Sequence, residues 1–154
     1  MAHEYIQEQQ ERRIQSLEVG DRFITNQRVV SQGNSESWTS MFGLTHPLFL
    51  NDEYARKMGF NNRLVSGIFT FTLMMGLLYQ SGIIRDGIYL GTENSEYPVP
   101  VYPGDMLKAE IEILGKRTTS KGDRVIVKFK WLVRNQSEEV VAKGGNAEMV
   151  PASS

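Results

Sequence analysis

At 154 residues with 40% hydrophobic content, the chain is long enough to bury a core of its own, which predicts one compact domain. The absence of cysteine excludes disulfides, thiolate metal sites and a cysteine nucleophile, and it suits a reducing cytoplasmic setting. A formal charge of −1, from 17 basic and 18 acidic residues, supplies no field to steer nucleic acid or an anionic membrane.

Residues 1–17 are charged and Gln-rich and read as a solvated arm or frayed helix, with no apolar signal core. A single domain is expected over residues 18–150, followed by a short tail, 151–154. "VGDRFITNQRVV" gives a Gly-Asp turn and then β-branched alternation, a first strand over about Arg22 to Val30. In "SQGNSESWTSMFG", Asn34 or Ser35 is the expected N-cap of a helix that Gly43 stops. Pro47 opens a turn. Asn51 or Asp52 caps a short helix that runs to about Met58 and ends at Gly59.

"SGIFTFTLMMGLLYQSG", Ser66 to Gly82, has helix length and is apolar on nearly every side. A helix without a polar face must be surrounded by protein. It falls short of the ~20 residues of a membrane span. Beyond it, "GIYLGTENSEY" reads as a strand closed by Pro98 and Pro100. Leu107, Ala109, Ile111 and Ile113 alternate with Lys108, Glu110 and Glu112. Val125, Val127, Phe129, Trp131 and Val133 repeat the pattern, and "TSKGD" between the runs is a hairpin turn. "EEVVAKGGNAEMV" is a last strand, with a bulge expected at Gly144 and Gly145. One strand, helices, a buried helix and four antiparallel strands predict an α+β hotdog architecture, an antiparallel sheet curled around a long apolar helix. Bare strand edges predict at least a homodimer.

Three stretches carry a resemblance to the MaoC-like dehydratases, the hotdog family that includes (R)-specific enoyl-CoA hydratases. They are "GLTHPLFLNDEYARKMGF", "NNRLVSGIFTFTLMMGLL" and "IYLGTENSEYPVPVYPGDML". The likeness extends over roughly residues 19 to 150. It implies an acyl thioester, on coenzyme A or acyl carrier protein, as the ligand and hydration or dehydration of a 2-enoyl thioester as the reaction. No Gly-rich phosphate loop, Ser-His-Asp series or metal-ligand cluster is visible, so no cofactor and no metal are expected.

In relatives an aspartate and a histidine of one short loop activate the water. Those positions here are Leu44 and Phe49, and neither side chain can transfer a proton. A family serine corresponds to Met75. Gly67 stands where relatives aim a backbone N–H at the thioester carbonyl, a device that serves catalysis and binding equally.

His46, in "THP", admits two readings: a displaced acid or base, or a loop histidine bonded to backbone. Asn51 and Asp52 either orient a water or cap the short helix. Ser66 is either a substrate contact or an N-cap. Among Glu93, Asn94 and Glu96, Glu93 is the candidate carboxylate for an active site; the alternative is a solvated strand face. Leu44, Phe49, Ser66, Gly67 and Met75 form the expected substrate-binding set. Arg56, Lys57, Arg63, Lys116 and Arg117 are either phosphate contacts or solvated surface. Three functional classes follow: a rewired hydratase using His46 or Glu93, an acyl-CoA-binding protein without chemistry, and a structural partner subunit of an active paralogue.

Overall fold

The structure, a computed structural model, describes residues 1–153. Its centre is a sheet of seven strands in the order β1-β2-β5-β6-β7-β4, with β3 paired to β5. In chain order these are β1 (Glu4–Ile6), β2 (Arg22–Ile24), β3 (Arg28–Val29), β4 (Ile88–Glu96), β5 (Met106–Thr118), β6 (Arg124–Arg134) and β7 (Val140–Pro151). Helices α1 (Gln32–Met41), α2 (Pro47–Leu50) and α3 (Asp52–Lys57) lead into the long helix α4 (Gly67–Ser81).

Period-two alternation in β5 and β6 puts one set of side chains against α4. Leu107, Ala109, Ile111 and Ile113 are buried, as are Val127, Phe129, Trp131 and Val133. Burying each valine, leucine, isoleucine or phenylalanine of this set stabilises the fold by roughly 1.5–3 kcal/mol. Phe71 of α4 meets Trp131 with ring centroids 5.7 Å apart. Met74 is wholly enclosed, so Met74→Ala would cost about 2–5 kcal/mol. Antiparallel apart from the β1–β2 pair, the sheet around a central helix is the hotdog architecture expected from the pattern.

Ser66 caps α4 by accepting from the Phe69 N–H at 3.1 Å, and Gly82 ends it in a left-handed turn at φ 80°. Sheet and core do not enclose α4 completely. Ile68 (55% exposed), Thr72 and Tyr79 form an open stripe along it. The expectation of a helix covered on every side is therefore unmet within one protomer.

Other differences have local causes. The amino-terminal arm is anchored rather than solvated. Its residues 4–6 pair parallel with β2, while Ile14 and Leu17 are buried and the Ile14 N–H donates to Ile83 O at 2.7 Å. The expected first strand is split into β2 and β3. Between them Thr25 donates its N–H to Ala109 O and accepts the Ala109 N–H at its Oγ1, both at 2.9 Å. Ser31, not Asn34 or Ser35, caps α1.

Gly144 and Gly145 keep a continuous register with β6, so no bulge lies there on that side. A Cβ at Gly144 would stand 2.6 Å from the Trp131 ring, so the missing side chain makes room for indole. Toward β4 the expected irregularity is present: the register shifts between Glu93↔Gly145 and Glu96↔Lys143, opposite Gly144, with the extra residues in β4, where Asn94 takes φ 53°. β7 runs one residue past the expected domain end, to Pro151, and Ser154 of the expected tail lies outside the described residues. No helix among the described residues is long and apolar enough to cross a membrane.

Candidate functional site

The amino-terminal end of α4 is held from two sides. The Leu64 N–H donates to Leu48 O at 2.9 Å and the Val65 N–H to Val101 O at 2.8 Å. Ser66 satisfies Phe69, leaving the Gly67 N–H with no hydrogen-bond partner among the described residues. A first-turn N–H has no intrahelical acceptor, and the helix dipole adds positive potential there. The donor is therefore free for a carbonyl oxygen.

Beside it lies a cavity of about 260 Å³, lined by Phe49, Phe60, Leu64, Gly67, Thr70 and Tyr97, with prolines and valines of the segment 98–101. No Asp, Glu, His, Lys or Arg lines it. Thr70 uses its hydroxyl toward Ser66 O at 3.3 Å. Tyr97 is the only ionisable side chain on the wall. Burial pushes the Tyr97 phenol above its ordinary value, against a hydrogen bond with Ser95 that works the other way. A Cβ at Gly67 would meet the Tyr97 ring carbons at 3.0–3.1 Å. Glycine at this position lets the ring lie over the helix start.

Of the substrate-binding set expected from sequence, Phe49 and Gly67 share the cavity wall. Leu44, Ser66 and Met75 are not on it. Leu44 is half-buried, and its N–H donates to Thr39 O at 2.9 Å, closing the end of α1. Ser66 is the buried helix cap. Met75 is buried on another side of α4, where its sulfur accepts from Asn146 Nδ2 at 3.2 Å.

The proposed acid–base candidates are also elsewhere. His46 is the N-cap of α2, with Nδ1 accepting the Leu48 N–H at 3.1 Å and its ring exposed near Phe49 and Tyr54. Glu93 is exposed and lines grooves formed with Leu114, Lys128 and Lys130, away from the Gly67 cavity. Glu96 pairs with Lys143 at 3.3 Å.

The loop polar residues bind one another. Asn51 caps α3 through the Tyr54 N–H at 2.8 Å. Asp52 accepts the Arg63 N–H at 3.0 Å and Arg63 Nε at 2.9 Å, and Arg63 also pairs with Glu36. These hydrogen bonds hold the Asp52 carboxyl below the usual carboxylate range. Lys116 Nζ donates to Gln15 O and Leu17 O, each at 2.9 Å. Arg63 and Lys116 are thus committed to backbone and carboxylates rather than to a phosphate. No group of side chains suited to a metal ion occurs among the described residues.

The loop-to-helix geometry, an unpaired glycine N–H opening the central helix inside a curled sheet, agrees with comparison to known proteins. The profile described as "MaoC like domain" matches residues 15–134. The chain belongs to the MaoC-like domain family. It is 30% identical to the (R)-specific enoyl-CoA hydratase of Aeromonas caviae over 103 residues, 67% of this chain and 75% of that protein. It is 29% identical to the mesaconyl-CoA hydratase of Cereibacter sphaeroides over 114 residues, 74% of this chain. The chain spans only 33% of that relative's length. The crystal structure of the MaoC-like dehydratase from Rhodospirillum rubrum superposes with a TM-score of 0.79 at 30% identity, covering 90% of this chain and 95% of the other. Acyl-thioester hydratases and dehydratases are thus the class to which this MaoC-like chain is related.

Tyr97 is the site residue that sequence reading passes over. Its one local signal is its place before Pro98, which fixes an extended backbone. Nothing local shows that this extended segment crosses the start of α4, thirty residues earlier in the chain.

Proposed function

We propose that this chain binds an acyl thioester, carried on coenzyme A or acyl carrier protein, with the thioester carbonyl on the Gly67 N–H and the acyl group against Phe49. The observation that carries the reading is the free Gly67 N–H opening onto a cavity without charged side chains. A partly buried dipolar donor in an apolar setting suits a polarised neutral carbonyl. The two relatives named above act, by their names, on CoA thioesters. Hydration or dehydration of an enoyl thioester is the corresponding reaction class, carried out without the family's Asp and His.

Neither His46 nor Glu93 supports the reading of a displaced acid–base pair. His46 commits its Nδ1 to a backbone N–H, and Glu93 lies off the cavity. The test is calorimetric titration with butyryl-CoA and with free coenzyme A, alongside hydration of crotonyl-CoA. Binding that requires the acyl group supports the proposal. Equal affinity for free coenzyme A, or no binding by either, removes it.

We further infer that two copies associate through the open stripe of α4 and the unpaired edge of β4. Ile68 and Tyr79 on the helix and Ile88, Tyr89 and Leu90 on the strand are exposed apolar side chains along that side. A second copy laid against both would cover them and satisfy the strand edge.

A further inference from the structure

We propose that the Gly67 cavity selects thioesters whose acyl group is a plain hydrocarbon and rejects those whose acyl group ends in a carboxylate. The inference rests on the acyl-thioester reading above and names the class of acyl group that the site takes.

Three observations carry it. First, the cavity wall offers a carboxylate no cation: Phe49, Phe60 and Leu64 stand there with prolines and valines, and no Lys, Arg or His joins them. Second, the polar groups on the wall have other uses. The Thr70 hydroxyl donates to Ser66 O at 3.3 Å. Tyr97 turns ring carbons toward Gly67, while its phenol pairs with Ser95. The Gly67 N–H is taken by the thioester carbonyl, so the far end of the acyl group cannot use it.

Third, the cations of the neighbouring loop are tied down elsewhere. Arg63, next to Leu64 in the chain, pairs with Asp52 at 2.9 Å and with Glu36. Arg56 donates from Nε to Asn61 O at 3.2 Å and from Nη2 to Asn62 Oδ1 at 3.0 Å. Lys57 is exposed and lies 3.7 Å from Glu53. The loop that supplies Phe60 and Leu64 thus gives the cavity their apolar side chains and keeps its charges outside.

A carboxylate brought into this cavity would leave water without gaining a cation, whereas a hydrocarbon tail gains from the same transfer. Selection therefore works by penalising the wrong acyl group. Phe49 contributes to it directly, because it lines the wall with a ring that carries neither charge nor hydrogen-bonding group.

The experiment is calorimetric titration of the full-length chain with four ligands. Butyryl-CoA is the reference. In succinyl-CoA a carboxylate replaces the butyryl methyl group. In isocaproyl-CoA an isopropyl group of nearly the same shape as the carboxylate replaces it, without the charge. Free coenzyme A gives the affinity that the carrier contributes alone. The expected result is that isocaproyl-CoA binds about as tightly as butyryl-CoA, while succinyl-CoA binds about 10²-fold more weakly than either.

A succinyl-CoA affinity less than about tenfold below that of butyryl-CoA overturns the selection and leaves the acyl-thioester reading intact. Weak binding of succinyl-CoA and isocaproyl-CoA alike makes the limit one of size and ends the charge claim. Equal affinity for free coenzyme A and butyryl-CoA, or failure of butyryl-CoA to bind, removes the reading itself and the selection with it.

Discussion

The Tyr97 ring occupies the space that a side chain on Gly67 would need, with three ring carbons 3.0–3.1 Å from the Cβ position. Gly67→Ala therefore sets a methyl group against the ring at the only free donor of the site. The half-exposed tyrosine can shift, so folding should change by less than about 1 kcal/mol. Thioester affinity should fall roughly tenfold or more, equivalent to about 1.4 kcal/mol. Chemical denaturation and butyryl-CoA titration of G67A separate the two effects. A variant that binds as tightly as wild type would mean that the carbonyl does not sit there.

The open stripe on α4 makes a prediction about assembly. Ile68 is 55% exposed in a single protomer, so a charge there is compatible with the monomer fold. Ile68→Glu should keep the secondary structure and shift the protein toward monomer in analytical ultracentrifugation, because association would desolvate the carboxylate. Unaltered association of I68E would place the interface elsewhere.

Glu148 lies fully buried on β7. Its Oε1 accepts the Tyr79 hydroxyl at 2.9 Å, while its Oε2 has no partner among the described residues. Burial raises its pKa above the ordinary glutamate value of 4.5, and the Tyr79 hydrogen bond only partly opposes this. A group with a raised folded pKa binds more protons folded than unfolded, so stability falls as pH rises. The contribution is intact below about 4.5 and is lost as pH climbs through the raised folded value. Glu148→Gln removes this slope. Urea titrations of wild type and E148Q should show wild type losing ground to the variant between pH 4.5 and 8. A difference constant across that range would contradict the buried, protonated acid.

Glu110 shows the opposite sign on the outer face of the sheet. It is buried, accepts from Arg134 Nε at 2.7 Å and pairs with Arg22, tying β2, β5 and β6 together. Burial opposes its ionisation, but the hydrogen bonds from Arg134 and Arg22 outweigh it and hold the carboxyl below the ordinary range. Its contribution is present above the unfolded pKa and is lost as pH falls through the folded one. Glu110→Gln should cost about 1–2 kcal/mol at neutral pH, since both arginines remain partly solvated. The loss should shrink in acid. A cost that stayed the same at low pH would show packing rather than charge.

Strong periodicity accounts for what was legible beforehand. The largely apolar run from Ser66 to Gly82 and the strict alternation in β5 and β6 leave few arrangements other than a sheet curled around a helix. The amino-terminal strand was not legible because Glu4–Ile6 is only three residues long and pairs with residues farther along the chain. Ile14 and Leu17 lie in a charged segment, yet both reach the core.

The paired glycines before Asn146 suggested a bulge. The register with β4 does shift opposite Gly144, but Gly144 also makes room for Trp131 on the neighbouring strand, a contact that local rules do not reveal. For the site, the replacement of proton carriers at positions 44 and 49 was readable, and so was the helix-opening glycine. The approach of Tyr97 was not, because it depends on how the chain after β4 crosses the start of α4.

The central claim is that an acyl carbonyl docks on the Gly67 N–H. Backbone amide NMR during titration with butyryl-CoA reads that atom directly. The account predicts that the Gly67 amide resonance moves downfield and is among the most perturbed, with shifts nearby at Phe49 and Tyr97, while free coenzyme A leaves it in place. Saturable binding of butyryl-CoA with the Gly67 resonance unmoved would contradict it.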